Sequence, residues 1–433
     1  MSTYIKKYNR LDALLALRGF ACLMVVIIHC APPRKSIIYK DFDLSWLMFS
    51  HGAVAVWIFF VLSGYLMGKA FYTQRYTADI VGVMRFWRNR VLRIFPLYYF
   101  AVLILSIFVY PEVLKFSHWG YLFRICTFSY HPYIGIETVK FNDVFWSLST
   151  EVQFYLLVPF IYSLIPNILN QENKENQPNK QQKIFLVTLV IILTNLIFRS
   201  LLWITFKTQI TQEMGYAFKY WYTPLIVNLD LFLCGFLLNE FLKYDKPDYL
   251  HQLKSLIIKY FAVVLIILLY LFTAYHLYHQ ELWNLPNRSG GWRTSTTILI
   301  LQPLTAIITS FFIFAFEKDI YQDFTKHEKL SFNAILNNPL RILEVIGNLS
   351  YGIYIWHMPI IARTYDIFTS EIPIEAFYIR LTATLILSTI LATVTYYLVE
   401  LPFQNGKFIK VGIARNSQGI KFPISKRKSS SDE

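Results

Sequence analysis

This sequence is short of charge for its length. Asp, Glu, Lys and Arg make up only 16% of its 433 residues, whereas hydrophobic residues make up 55% and aromatic residues 18%. Long uncharged runs of this kind are rare in soluble globular chains, so the composition excludes that class. The runs are about 20 residues long, which is the length that crosses the roughly 30 Å hydrocarbon core of a bilayer. Because each run must satisfy its own backbone and is too long for a barrel strand, the sequence predicts an all-α, polytopic transmembrane helical bundle.

Cysteine is also scarce, and the four cysteines show no spacing typical of metal ligands, so no metal site is predicted. The first apolar run lacks a small-residue cleavage site and is therefore predicted to be the first span rather than a cleavable signal peptide. The sequence also lacks a fused soluble domain and a convincing internal repeat. The missing repeat argues against a transporter built from inverted repeats.

About ten spans are predicted from the apolar runs. They lie near residues 11–31, 51–70, 94–110, 144–166, 184–204, 222–242, 256–276, 294–316, 342–362 and 379–400. Lys and Arg cluster in alternate loops, which by the positive-inside rule predicts that both termini are cytoplasmic. The net charge of +14 is thus explained by topology, and no nucleic-acid partner is predicted.

Two regions follow from this layout. Residues 1–405 are predicted to form one membrane-embedded domain, and residues 406–433 a basic, flexible cytoplasmic tail. Each Lys or Arg in such a tail adds roughly 1 kcal/mol of attraction to an anionic inner leaflet, so the lipid bilayer is a predicted partner of both regions.

The first predicted span carries two ionisable residues, Arg18 and His29. Ten residues separate them, which places them on nearly one helix face and roughly 16 Å apart along the axis. Ionisable groups at membrane depth point to function by default. With the N-terminus inside, Arg18 lies in the inner half of the bilayer and His29 near the outer surface. An anchoring arginine and an interfacial histidine are the structural alternatives.

The second span and the segment after it offer two features that suit a ligand. Ser63 and Gly64 form a small-residue pair between aromatic runs, where either a neighbouring helix or a ligand chain can approach the backbone. The connection to the third span is rich in arginine, which either anchors it to the inner surface or binds phosphate with bidentate geometry. The arginines considered for phosphate binding are Arg85, Arg88, Arg90 and Arg93.

The fourth predicted span begins with polar residues at intervals of four, Asp143, Ser147 and Glu151. This spacing predicts a stripe on one helix face at the outer end. Asp143 fits an ordinary helix cap, but Glu151 lies two turns deeper and needs a partner. We expect that partner to be the His29 imidazole, since a carboxylate beside an imidazole prepares it for general-base catalysis.

The ninth predicted span places Ser350, Tyr354 and His357 on one helix face. These side chains either fill a polar part of the core or contact a substrate. The full set of candidates for binding an acceptor or stabilising an oxyanion is Asp143, Trp146, Ser147, Ser350, Tyr354 and His357.

Five segments, in this order, resemble the acyltransferase-3 family of integral-membrane O-acyltransferases. They are the Arg18 and His29 pair with its spacing, FFVLSGY at 59–65, RNRVLRIFP at 88–96, WSLSTEVQFYLLVPF at 146–160 and NLSYGIYIWHMP at 348–359. The resemblance extends over nearly all of the apolar chain. The sequence departs from the family pattern at Leu15, where members often carry an acidic residue, and Asp12 lies three positions earlier.

The resemblance implies transfer of an acyl group, usually acetyl, from cytoplasmic acyl-coenzyme A to a sugar hydroxyl. The acceptor would be a glycan or glycolipid, such as a surface polysaccharide or lipopolysaccharide, and the location a bacterial inner (cytoplasmic) membrane. The resemblance also implies that His29 and Arg18 are the catalytic-motif residues. Acyl-coenzyme A is then a donor substrate, and no bound cofactor is predicted.

On this hypothesis His29 acts as the general base and Glu151 orients it. The arginines of the connection hold the donor phosphates, and the donor arm passes Arg18 and the Ser63 and Gly64 pair. Ser63, Ser147 and Tyr354 are the unranked candidates for oxyanion donors.

Three alternatives stay open. A ping-pong route through an acylated residue competes with direct transfer. A transporter or flippase of a lipid-linked or acylated substrate would use Arg18 and Glu151 as ligands, but it would not explain why the arginines concentrate in one connection. A purely structural membrane protein is the third possibility.

Overall fold

The fold is described from a computed structural model, which covers residues 11–130, 141–169, 177–243, 250–279, 293–317 and 332–404. These ranges contain ten long helices: α1 (Ala13–His29), α2 (Gly52–Tyr72), α3 (Ile80–Phe108), α4 (Phe145–Leu169), α5 (Gln177–Gln212), α6 (Leu225–Lys243), α7 (Leu250–Tyr278), α8 (Gln302–Phe316), α9 (Ile342–Thr364) and α10 (Pro373–Thr395). Shorter helical pieces extend or connect them, among them Trp119–Cys126, Thr296–Leu301 before α8, and Tyr396–Glu400 and Leu401–Gln404 after α10.

Eight helical segments in the described ranges, α2 to α8 and α10 with their extensions, are long and apolar enough to cross a membrane. The chain is therefore an all-α integral membrane protein with many spans, as the sequence predicts. α1 is apolar but has 17 residues, and α9 has 23 residues. The count of ten spans and the cytoplasmic termini stay predictions, as does the division at residue 405. The tail 406–433 lies outside the described residues.

The third helix begins earlier than the sequence predicts. α3 starts at Ile80, so the arginine-rich segment expected to be a connection before residue 94 is itself helical. Arginine is a good helix former, and backbone hydrogen bonds form whether or not the side chains suit lipid. At about 1.5 Å per residue, the 29 residues of α3 span roughly 43 Å, which exceeds the apolar core of a bilayer. The arginines therefore project from a continuous helix.

Reciprocal glycines bring α1 and α9 into backbone contact. A Cβ on Gly19 would lie 2.0 Å from the carbonyl oxygen of Leu343, and a Cβ on Gly347 would lie 2.1 Å from that of Leu15. A side chain at either position would force the helices apart, and small residues permit this close approach between membrane helices. The contact fixes α1 against the helix that carries Ser350 and His357.

α1 and α9 run parallel. Asp12 caps α1 by accepting a hydrogen bond from the backbone N–H of Leu15 at 3.0 Å. Its own backbone N–H donates to Glu344 in the first turn of α9 at 2.5 Å. At the other ends of the two helices, His29 contacts His357. α9 thus supplies partners to both ends of α1.

A second glycine pair joins α2 to α6. A Cβ on Gly64 would lie 2.0 Å from the carbonyl oxygen of Phe232, and a Cβ on Gly235 would lie 2.0 Å from that of Val61. This crossing holds the middle of α2 against α6, and it leaves the face with Ser63 free to meet α4.

Among the described residues, two buried ion pairs join different helices of the bundle. Arg199 on α5 and Asp230 on α6 are both 0% exposed, with Nη2 and Oδ2 2.8 Å apart. Lys69 on α2 pairs with Glu317 after α8 at 2.5 Å. A charge removed from water is tolerated only when it is paired, so these pairs tie their helices together.

The connection from α1 to α2 folds over the bundle as a small hairpin. Strands β1 (Ile38–Tyr39) and β2 (Phe42–Asp43) pair antiparallel. Asp43 accepts hydrogen bonds from the Tyr278 hydroxyl at the end of α7 and from the backbone N–H of Ser45. Partial burial acts to raise the pKa of the Asp43 carboxyl, but the hydrogen bonds from Tyr278 and Ser45 outweigh it and hold the pKa below its usual value. This carboxylate fastens the hairpin to α7.

Candidate functional site

A cavity of about 310 Å³ lies between α1, α2, α3, α4, α9 and the two helical pieces that follow α10. Its polar lining consists of Arg18, Ser63, Arg90, Arg93, Ser147, Glu151, Tyr155, Asn348, Ser350, Tyr351, Tyr354, Tyr396, Glu400 and Gln404. The cavity is of the size that ligand pockets have. Its concentration of charged and hydroxyl groups inside a membrane bundle marks it as the candidate site.

Arg18 is held by α9 and presents free donors to the cavity. Its Nε–H donates to Ser350 Oγ at 2.9 Å, and the Ser350 hydroxyl donates in turn to the Gly347 carbonyl oxygen at 2.8 Å. The guanidinium carbon lies 5.9 Å from the centre of the Phe59 ring. Within the described part of the chain, the two Nη groups have no hydrogen-bond partner, so they are available to oxygen atoms of a ligand.

Glu151 organises a hydroxyl network. The Ser63 hydroxyl donates to Glu151 Oε1 at 2.7 Å, and the Tyr155 hydroxyl donates to the same oxygen. The Ser63 and Tyr155 oxygens are 3.1 Å apart. Each hydroxyl has one proton to donate, so both of these protons are committed to Glu151.

The predicted contact between Glu151 and His29 is therefore wrong. Glu151 faces Ser63 in the middle of α2, whereas His29 is the last residue of α1. Helical spacing predicts which helix face carries each side chain. It cannot predict the relative depth of Glu151 and His29 in the bundle, because that depth depends on how α1 and α4 pack.

His29 has a different partner, His357. The Nδ1 atom of His29 lies 3.0 Å from Nε2 of His357, and the two rings meet edge to edge, with centroids 5.1 Å apart and planes 24° apart. His357 is 0% exposed, and its own Nδ1 lies 3.2 Å from the Ile353 carbonyl oxygen. The two histidines do not belong to the cavity lining.

Ser147 and Tyr354 lie between the cavity and this histidine pair. Their oxygens are 2.7 Å apart, and both approach the Val144 carbonyl oxygen, at 3.0 Å and 3.2 Å. Tyr354 precedes His357 by one helical turn, and their ring centroids are 5.7 Å apart. One end of the cavity therefore stops about one turn short of the histidines.

The predicted phosphate-binding arginines divide into two groups on α3. Arg90 and Arg93 line the cavity, whereas Arg85 and Arg88 are exposed and lie outside its lining. The division follows from the helix itself, because residues three apart share a face and the two pairs point in different directions.

Three further predicted residues are absent from the cavity lining, so their roles in binding stay predictions. Gly64 packs against the backbone of α6, so it serves the helix crossing rather than a ligand path. Asp143 precedes the start of α4 and so does not belong to the helical stripe. Trp146 is buried in the core, with its ring centroid 4.6 Å from that of Tyr222.

The sequence reasoning missed Tyr155 and Glu400 as site residues. Tyr155 continues the interval of four from Ser147 and Glu151, and that periodicity was the signal. Glu400 is 7% exposed and lines the cavity. Its position at the end of an apolar run is typical of an ordinary terminal charge, and only the packing of the segment Tyr396–Glu400 against α3 brings it to the site.

Comparisons with known proteins agree with this architecture. A family model described as an acyltransferase domain, that of acyltransferase 3, matches residues 11–397. The chain is 23% identical over 421 residues to the O-acetyltransferase OatA of Staphylococcus aureus, an alignment that covers 92% of this chain and 58% of that protein. The chain thus spans little more than half the length of the curated OatA relatives from this species. No solved structure is significantly similar to it.

Two shorter alignments reach higher identity. One is 31% identical over 171 residues to the peptidoglycan O-acetyltransferase OatA of Listeria monocytogenes, covering 36% of this chain and 24% of that protein. The other is 31% identical over 168 residues to the acyltransferase MdmB of Streptomyces mycarofaciens, covering 37% of this chain and 41% of that protein. Since the family model matches most of the chain, the protein belongs to the acyltransferase-3 family.

Proposed function

We propose that this protein is a membrane O-acyltransferase that moves an acyl group, acetyl in the simplest case, from acyl-coenzyme A to a sugar hydroxyl of a surface glycan or glycolipid. One observation carries the proposal: a single cavity runs from two arginines of α3 to a wall one helical turn from the His29 and His357 pair. Two of the relatives are named O-acetyltransferases, and one of these is named for peptidoglycan. A peptidoglycan fragment is therefore the first acceptor to test, and lipopolysaccharide the second.

The arginine end of the cavity suits the donor. Coenzyme A carries several phosphate charges, and Arg90 and Arg93 offer guanidinium groups that pair with phosphate in two parallel hydrogen bonds. The positive-inside bias predicts that this end is cytoplasmic, where acyl-coenzyme A would enter. We propose the inner membrane of a bacterium as the location, which the family resemblance implies.

The middle of the cavity suits the donor arm. The unpaired Nη groups of Arg18 can donate to the amide oxygens of a pantetheine chain. The Ser63 hydroxyl beside them is held by Glu151. We assign Glu151 the role of fixing Ser63 and Tyr155 along this path, in place of orienting the base.

The histidine end suits the transfer step. His29 removes the proton of the acceptor hydroxyl while that oxygen attacks the thioester carbonyl, and the carbon–sulfur bond then breaks. Coenzyme A leaves as a thiolate that takes this proton from His29, which restores the neutral base. General-base assistance of this kind contributes about 10²–10⁴ in rate. The hydroxyls nearest this end are those of Ser147 and Tyr354, which we rank above Ser63 as oxyanion donors.

A transfer assay tests the proposal. The purified protein in lipid is incubated with labelled acetyl-coenzyme A and a peptidoglycan fragment, beside His29→Ala and His118→Ala. His118 is a partly exposed histidine outside the cavity lining, so it is the matched control. We expect transfer by the wild type and the control and a loss of at least about 10²-fold in His29→Ala. Undiminished transfer by His29→Ala would reject the base, and no transfer to any acceptor by the wild type would favour transport of a lipid-linked sugar.

A further inference from the structure

We propose that His357 is a positioning residue that fixes the tautomer of His29, so that the base is the Nε2 atom of His29. The inference rests on the proposed acyl transfer for its catalytic meaning. The position of the proton on each imidazole ring does not depend on the reaction.

The proton assignment starts from a backbone carbonyl. The oxygen of Ile353 can only accept, so the Nδ1 atom of His357, 3.2 Å away, must carry a proton and donate it. A neutral imidazole has one N–H, so Nε2 of His357 is then an acceptor. The atom facing it at 3.0 Å, Nδ1 of His29, must therefore be the donor.

This proton assignment determines the state of the other ring nitrogen of His29, Nε2. With its proton on Nδ1, neutral His29 has a free lone pair on Nε2, which is the requirement for a general base. When Nε2 takes up a proton, Nδ1 still donates to His357, so the contact persists in the charged state. The opposite tautomer of His29 would place two lone pairs against each other at this distance.

The surroundings of His357 make this assignment rigid. The side chain is fully buried, its ring lies nearly coplanar with that of His29, and it lies on α9, which the glycine crossing holds against α1. His357 therefore does for His29 what Glu151 was expected to do. As a neutral partner it orients the imidazole without adding a negative charge.

Two substitutions separate the acceptor atom from the ring. His357→Phe keeps an aromatic ring but has no acceptor, whereas His357→Gln loses the ring but places an amide oxygen near the former Nε2. We expect His357→Phe to lower kcat about 10–100-fold, as the loss of an orienting partner does for metal-binding imidazoles. KM for the donor should stay unchanged. His357→Gln should recover most of kcat, and a His357→Phe enzyme as active as the wild type would overturn the proposal.

If both variants lose activity, a spectroscopic measurement can still determine which nitrogen of His29 is protonated. Nitrogen-15 NMR of the histidine-labelled protein in nanodiscs reports which ring nitrogen is protonated, with His29→Gln and His357→Gln used for assignment. We expect Nδ1 protonation for both His29 and His357. Protonation of His29 at Nε2 would refute the assignment even in an active enzyme. If the wild type transfers no acyl group, the proposed function fails, while the NMR result still decides the tautomer.

Discussion

The division of the α3 arginines gives the sharpest prediction about the donor. The perturbation is Arg90→Gln with Arg93→Gln, which removes both guanidinium groups that α3 presents to the cavity and keeps polar side chains of similar length. The control is Arg85→Gln with Arg88→Gln, which removes the same charge from the same helix outside the cavity. Because the two double variants lose equal charge, any long-range attraction of an anionic donor falls similarly in both.

The expected size follows from the number and exposure of the contacts. A hydrogen bond to a charged group contributes about 1.5–3 kcal/mol. Arg90 is half-buried and Arg93 is exposed, so the low end applies to each, which gives about 3 kcal/mol for the pair. Since 1.4 kcal/mol corresponds to a factor of ten, the cavity-facing variant should bind the donor roughly 100-fold more weakly. The control should differ from the wild type by less than about threefold.

Equilibrium binding of coenzyme A to each protein in nanodiscs measures the effect, and KM for acetyl-coenzyme A provides a second reading. Helical content and yield from the membrane fraction show that each variant has inserted. Equal weakening in the two double variants would mean that the arginines act through general charge alone. Unchanged binding in the cavity-facing variant would show that the donor does not bind at this end of the cavity.

The other structural features predict further outcomes. Gly64→Ala should lower the unfolding temperature, because the Cβ of the new alanine would clash with Phe232 and overpacking typically costs about 1–3 kcal/mol. If the variant instead kept its stability and lost donor binding, Gly64 would belong to the ligand path. Asp230→Ala leaves Arg199 charged and unpaired, so it should destabilise the bundle by about 3–5 kcal/mol. Replacing both residues with Leu should restore stability, and equal stability of the single and double variants would contradict this. The attachment of the hairpin to α7 should be strongest above the ordinary carboxyl pKa of about 3.9 and should weaken as the pH falls through the lowered pKa of Asp43, while the bonds from Arg34 to the end of α7 persist. Faster hydrogen exchange of residues 31–50 would show it, and Asp43→Asn should lack this pH dependence.

Much of the fold could be predicted from the sequence because hydrophobic length alone specifies a membrane helix. The ten apolar runs all coincide with helices, and the largest discrepancy is the start of α3 at Ile80. The arginines of that segment predict a connection between spans. Charge excludes a segment from the lipid core, but it does not prevent a helix from continuing into water.

The sequence predicts many of the residues of the candidate site, but only some of the contacts between them. Arg18, Ser63 and Glu151 do come together around one cavity. The partner of His29 could not be predicted, since it depends on how deeply α4 and α9 sit beside α1. Helical periodicity predicts which face of a helix carries a side chain. The depth of that side chain in the bundle depends on how the helices pack, here through glycine contacts whose partners are far away in the sequence.

The parallel packing of α1 on α9 also sets a length that the donor must match. Arg18 and His29 lie on one helix, and each is held by a side chain of the same neighbouring helix, so sliding cannot bring them together. Their separation of roughly 16 Å is therefore built into the protein. A donor whose phosphates lie no deeper than Arg18 can present its acyl carbon to His29 only through an arm of at least that reach. A compact acyl phosphate would fall short, so this bundle would discriminate between donors by length as well as by charge.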